Sequence, residues 1–106
     1  MPQIAPAELA AWRNDAARAA PVIVDVREPW EHARCRIEGS LLVPLRELTA
    51  RLSELPADRE LVLVCHHGSR SQQAAMWLAQ NGRKVHNLRG GVEAWALEVD
   101  AAMPRY

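Results

Sequence analysis

Short β-branched runs alternate with stretches of helical periodicity along this chain. Val22 to Val26, apolar except at Asp25, predicts a short buried strand, and Leu61-Val62-Leu63-Val64 predicts the strongest one. Leu41 to Val43 and Lys84 to Leu88 predict further short strands. Between them lie helical patterns. Pro6 to Ala19 gathers Leu9, Ala10 and Trp12 on one face, with Pro6 suited to a first turn and Pro21 closing the segment. Glu28 to Ala33 predicts a brief helix. From Pro44 to Leu55 the positions Leu45, Leu48, Leu52 and Leu55 recur at helical spacing. Ala74, Ala75, Trp77 and Leu78 predict a helix stopped at Asn81-Gly82. Gly90-Gly91 opens a last one through Val92, Trp95, Ala96 and Val99, ended by Pro104. Strands alternating with helices predict an α/β fold: a small open parallel β-sheet of about five strands, flanked by helices on both faces. No repeat, low-complexity tract or linker interrupts the pattern, so one domain is expected over residues 1–106.

Composition narrows the function classes. Apolar residues are 49% and charged ones 25%, which excludes wholesale disorder. With four Trp, one Tyr and no Phe, the core must be built from Leu, Val, Ile and Ala. Thirteen basic residues balance thirteen acidic ones, an arrangement that does not favour nucleic acid as a partner. Arg34 with Arg36, and Arg83 with Lys84, read as solvated faces. The apolar stretch Leu61 to Cys65 is too short to cross a bilayer, so no membrane partner is expected. Near the N-terminus Trp12, Arg13, Asn14, Asp15 and Arg18 leave no apolar leader segment. The two cysteines, Cys35 and Cys65, are too few for a disulfide scaffold and fit no zinc-ligand spacing. A cytoplasmic, reducing setting is expected, in which a cysteine is a candidate for chemistry.

Cys65 is the candidate. The strongest strand runs into Cys65-His66-His67-Gly68-Ser69-Arg70-Ser71, and a helix follows. In open α/β sheets ligands bind beyond the carboxyl ends of the strands. A short loop with one glycine can turn successive backbone N–H groups inward as an anion nest, helped by the positive end of the next helix. A free thiol ionises near pH 8.5, and lowering that by two units takes about 2.7 kcal/mol. A helix terminus supplies roughly 0.3–1 kcal/mol when exposed and about 2 when partly buried. Charge-assisted N–H bonds and Arg70 are expected to contribute the rest, around a sulfur open to solvent.

The ordered motifs resemble those of the single-domain rhodaneses, a sulfurtransferase family, over nearly the whole chain. Val24-Asp25-Val26-Arg27-Glu28, with Trp30-Glu31, resembles the family's first-strand signature. Arg36-Ile37-Glu38-Gly39-Ser40 and Val43-Pro44 resemble the next segment, although Cys35 and Arg36 stand where the family commonly has Gly and His. Cys65 to Ser71 is similar to the active-site loop, and Leu88-Arg89-Gly90-Gly91 with Trp95 to the closing motif. The resemblance implies a double displacement without a cofactor. Cys65 would take a sulfane sulfur from thiosulfate or a related donor and pass it to cyanide or a thiol, by way of a persulfide. His66, His67, Gly68, Ser69, Arg70 and Ser71 would bind the substrate. A protein sulfur acceptor and a monomeric, bacterial-like enzyme fit the same picture. The alternative is a regulatory or sulfur-carrier module that binds a protein partner without turnover.

Loop length separates this reading from a thiolate phosphatase, whose Cys-x5-Arg cradle fits a tetrahedral phosphate; here Arg70 gives Cys-x4-Arg. Arg70 is the expected recogniser of a donor oxyanion. His66 and His67 are adjacent and lack further placed ligands, so no metal is expected. His32 and His86 read as surface or strand-end residues. Asp25, interrupting an apolar strand, calls for a partner, and Arg27 lies on the same side. Trp77 and Trp95 read as core, Gly90-Gly91 as a turn, and Cys35 as a bystander thiol.

Overall fold

Side-chain alternation along the central strands decides what each layer of the molecule contains. A computed structural model describes residues 2–106. The elements are β1 (Gln3–Ile4), α1 (Pro6–Arg13), β2 (Val22–Asp25), α2 (Pro29–Arg34), β3 (Leu41–Leu42), β4 (Glu60–Val64), α3 (Ser69–Gln80), β5 (Lys84–Leu88) and α4 (Gly91–Glu98). The strands form one sheet in the order β1-β5-β4-β2-β3, every neighbouring pair parallel. The expected parallel α/β architecture is therefore present, with β4 at its centre.

Because successive residues of a strand point to opposite faces, β4 feeds two cores. Val62 and Val64 join Leu9 and Trp12 of α1, Ile23 of β2, and Val92, Trp95 and Ala96 of α4. Leu61, Leu63 and Cys65 join Val24, Val26 and the α3 residues Ala74, Ala75 and Leu78 on the other face. Each aliphatic side chain buried in this way is worth roughly 1.5–3 kcal/mol. Cys35 belongs to the first cluster and Cys65 to the second, so the sheet separates the two thiols.

Three elements differ from the sequence expectation. The helix expected over Pro44 to Leu55 is two 3₁₀ turns, Leu45–Glu47 and Leu52–Glu54. Leu45 to Leu48 and Leu52 to Leu55 are each three apart, a spacing that a three-residue turn satisfies as well as an α-turn does. The Arg83 guanidinium donates to the carbonyls of Leu52 and Leu55, fixing the second turn from outside. The first helix stops at Arg13 rather than Ala19, since no apolar face continues beyond Trp12. There the Asn14 amide bonds back to Ala10, Asp15 caps the Ala17 N–H, and the Trp12 indole donates to the Ala19 carbonyl. The sequence also gives no sign of β1, two residues long at the sheet edge, beyond the reach of any periodicity.

Asp25 and Arg27 form the expected pair, Nη2 to Oδ2 2.7 Å apart, and both side chains are fully buried. Burial works against the Arg27 charge, but bonds to Asp25 and Tyr106 outweigh it and leave its pKa raised. Its remaining donors reach the Cys35 carbonyl at 2.6 Å and the Tyr106 hydroxyl at 2.8 Å. This satisfied cation ties the end of β2 to α2 and to the distant Tyr106. Among the described residues no helix is long and apolar enough to cross a membrane.

Candidate active site

Cys65 follows β4 directly, at the carboxyl end of the central strand. Its Sγ accepts a hydrogen bond from the Gly68 N–H at 3.0 Å and lies 3.3 Å from the Ser71 hydroxyl. Gly68 stands at φ +104° at the N-terminus of α3, a left-handed conformation that turns its amide back onto the sulfur. A Cβ there would crowd the Gly90 nitrogen and the Leu88 carbonyl.

Ser71 has one proton and two neighbours for it. Its Oγ is 2.5 Å from Asn87 Oδ1. The Asn87 amide is oriented by donating Nδ2 to the Gly68 and Gln3 oxygens, so Oδ1 must accept. The shorter contact draws the Ser71 proton toward Asn87. One donor, the Gly68 amide, is left committed to the sulfur in place of the expected ring of several amides. Further donors lie close by. No side chain caps α3, and the first closing bond of that helix runs from Gln72 N to Gly68 O. The N–H groups of Ser69, Arg70 and Ser71 in its first turn therefore have no intrahelical acceptor.

The sulfur sits deeper than expected. Cys65 is 1% exposed, so a donor atom can touch it only when the side chains or loop around it shift. Gly91 closes the loop from below. Val92 N and Glu93 N, at the start of α4, donate to the Cys65 and His66 carbonyls at 2.9 and 3.1 Å. That approach leaves no room for a Cβ on Gly91, which would overlap both carbonyl oxygens.

Arg70 does not stand free. Its Nη1 and Nη2 hold both carboxylate oxygens of Glu31 at 2.7 and 2.8 Å. Tyr106 Oη donates to Glu31 Oε2 at 2.7 Å, and the Glu28 N–H donates to Oε1 at 3.0 Å. Arg70, then burial working against it, then the Glu28 and Tyr106 contacts leave the Glu31 pKa at about 2. Burial pushes the Tyr106 phenol up to about 12. A continuous chain, Asp25–Arg27–Tyr106–Glu31–Arg70, therefore runs from the buried end of β2 to the loop.

His66 stacks between His67 and Tyr106, both ring centroids 3.9 Å away. Burial, with His67 beside it, lowers its pKa, so it is neutral near pH 7. Its Nε2 is buried without a hydrogen-bond partner. Glu93 approaches it at 3.7 Å, bringing a carboxylate near His66 and His67. Parallel stacked rings direct their lone pairs side by side rather than at one point, and Glu93 is engaged by Arg105, so this trio is a poor metal cage.

Of the expected loop residues, Gly68 and Ser71 converge on Cys65, Arg70 turns to Glu31, and His67 and Ser69 are exposed. Sequence reasoning missed Asn87, Glu31 and Tyr106 as site residues. Asn87 carried a usable signal, a polar residue two positions after Val85 and so on the same, inward side of the strand. Tyr106, 75 residues from Glu31 along the chain, carried none.

A Rhodanese-like domain family model matches residues 5–98. The chain is 45% identical over 76 residues to a sulfurtransferase of Allochromatium vinosum, covering 71% of each protein. It is 36% identical over 94 residues to the thiosulfate sulfurtransferase GlpE of Stutzerimonas stutzeri, covering 88% of this chain and 83% of that one. The crystal structure of a rhodanese-related protein from Thermoplasma volcanium superposes with a TM-score of 0.85 at 30% identity, over 93% of this chain and 94% of the other.

Proposed function

The chain belongs to the rhodanese-like domain family, and from that premise we propose that it is a sulfurtransferase carrying its sulfur on Cys65. One observation carries the reading: the Gly68 amide bonds to the Cys65 sulfur where the uncapped first turn of α3 begins. A thiolate there gains a charge-assisted bond of roughly 1.5–3 kcal/mol. The unpaired amides of Ser69, Arg70 and Ser71 then suit a second, outer sulfur that also carries charge.

The reaction has two steps. The Cys65 thiolate attacks the outer sulfur of thiosulfate or a related donor, the donor's S–S bond breaks, and sulfite leaves with the electron pair. Cyanide or a thiol then attacks the outer sulfur of the persulfide, forming thiocyanate or a new persulfide and restoring the thiolate. His66, His67, Gly68, Ser69, Arg70 and Ser71 frame the bound sulfur. Because Cys65 is buried, each step requires the surroundings of the sulfur to open. A cytoplasmic enzyme whose acceptor is a small thiol or a protein thiol completes the proposal.

Initial rates over a grid of thiosulfate and cyanide concentrations test it. Parallel double-reciprocal lines are expected for double displacement. Intersecting lines would overturn the covalent carrier, and capture of a protein without turnover would favour a binding module.

A further inference from the structure

Three arginines around the candidate cysteine are paired off, while Arg89, beside Gly90, is exposed. Asp25 neutralises Arg27, Glu31 neutralises Arg70, and Arg105 is bound to Glu93. His66 is uncharged near neutral pH because burial disfavours its cation. Arg70 is the one permanent cation of the segment Cys65 to Ser71, and it lies near enough to Cys65 to feel the thiolate's charge. Both of its terminal nitrogens are nevertheless occupied by a carboxylate that is itself only 5% exposed and held by two more donors. A donor oxyanion must displace Glu31 or share Arg70 with it.

We propose that Glu31 is a specificity-determining residue: its two-point grip on Arg70 neutralises the loop's one permanent cation and turns the site toward singly charged sulfane-sulfur donors. Alkyl persulfides and arenethiosulfonates belong to this class, and dianionic thiosulfate does not. The inference rests on the sulfur-transfer reading of Cys65. With an arenethiosulfonate the thiolate takes the outer sulfur, the bond to the sulfonyl sulfur breaks, and an arenesulfinate leaves with the pair. The chemistry thus matches that of thiosulfate at one charge fewer, which makes the two donors a clean comparison. Attraction to a freed guanidinium scales with donor charge, so a gain of about threefold for a monoanion becomes about tenfold for a dianion.

The experiment measures single-turnover loading of Cys65 from thiosulfate and from benzenethiosulfonate, in the native protein and in Glu31→Gln. The ratio of the two kcat/KM values should shift about threefold toward thiosulfate in the variant, and there the thiosulfate rate should no longer rise as salt is added. A purely structural role for Glu31 would lower both rates together and leave the ratio alone, which would overturn the inference. Should the variant fail to fold, the native protein decides. A thiolate beside an Arg70 already neutralised by Glu31 repels thiosulfate, so added potassium chloride should raise that rate; a fall would mean that Arg70 acts as a free cation. Loading from neither donor would overturn the sulfur-transfer reading itself, whereas loading from both with an unchanged ratio overturns only the role of Glu31.

Discussion

Replacing Glu31 by Gln should change the stability of the protein by an amount that depends on pH. The carboxylate receives both Arg70 nitrogens, the Tyr106 hydroxyl and the Glu28 amide, and its pKa falls from 4.5 to about 2. At about 1.4 kcal/mol per pH unit the difference is about 3 kcal/mol. Arg70 is 37% exposed, and solvent screening on its side trims this to about 2–3 kcal/mol. The sign follows from linkage. A carboxylate whose folded pKa lies below its unfolded one stabilises the fold above 4.5, and the contribution is lost as pH falls from 4.5 through about 2. Urea unfolding followed by tryptophan fluorescence, on native and Glu31→Gln proteins across this interval, measures it. The two proteins should differ by about 2–3 kcal/mol near neutral pH, and the gap should close as acid protonates Glu31. A gap that stays constant from about pH 6 to about pH 3 would refute the claim that the ionised carboxylate is what Arg70 and Tyr106 hold.

Three further substitutions probe the scaffold beneath the loop. Asp25→Ala leaves the fully buried Arg27 without its carboxylate and should cost about 3–5 kcal/mol in chemical denaturation. Gly91→Ala forces a Cβ into the Cys65 and His66 carbonyls at a φ of +60° and should destabilise by more than about 2 kcal/mol, seen as a lower thermal midpoint. Tyr106→Phe keeps the ring on His66 but removes the hydroxyl that joins Arg27 to Glu31; denaturation should show a loss of about 1–3 kcal/mol.

Much of this architecture is written locally in the chain, and the exceptions have physical causes. Val22–Asp25 and Glu60–Val64 are legible because burial on both faces demands continuous apolar residues. Asp25 and Arg27 announce each other because residues two apart share a side of an extended chain. The Pro44 to Leu55 segment misleads because leucines three apart suit both α- and 3₁₀-geometry, and the second turn is held by Arg83 reaching in from beyond β4. Cys65 and its glycine-bearing loop are legible from the strand that precedes them. The state of Arg70 is not. A guanidinium at a helix start reads as an anion receptor until Glu31, itself held by the Tyr106 hydroxyl and the Glu28 N–H, is seen to occupy it. Nor does the sequence reveal that one amide rather than several reaches the sulfur, or that Asn87 from the adjacent strand draws the Ser71 hydroxyl proton away from it.

Intact-mass spectrometry after exposure to a sulfane-sulfur donor addresses the persulfide most directly. The native protein should gain one sulfur atom, lose it on addition of cyanide, and yield a peptide map that places it on Cys65, while Cys65→Ser gains none. Addition of the same sulfur to Cys65→Ser, or its recovery on Cys35, would contradict the account.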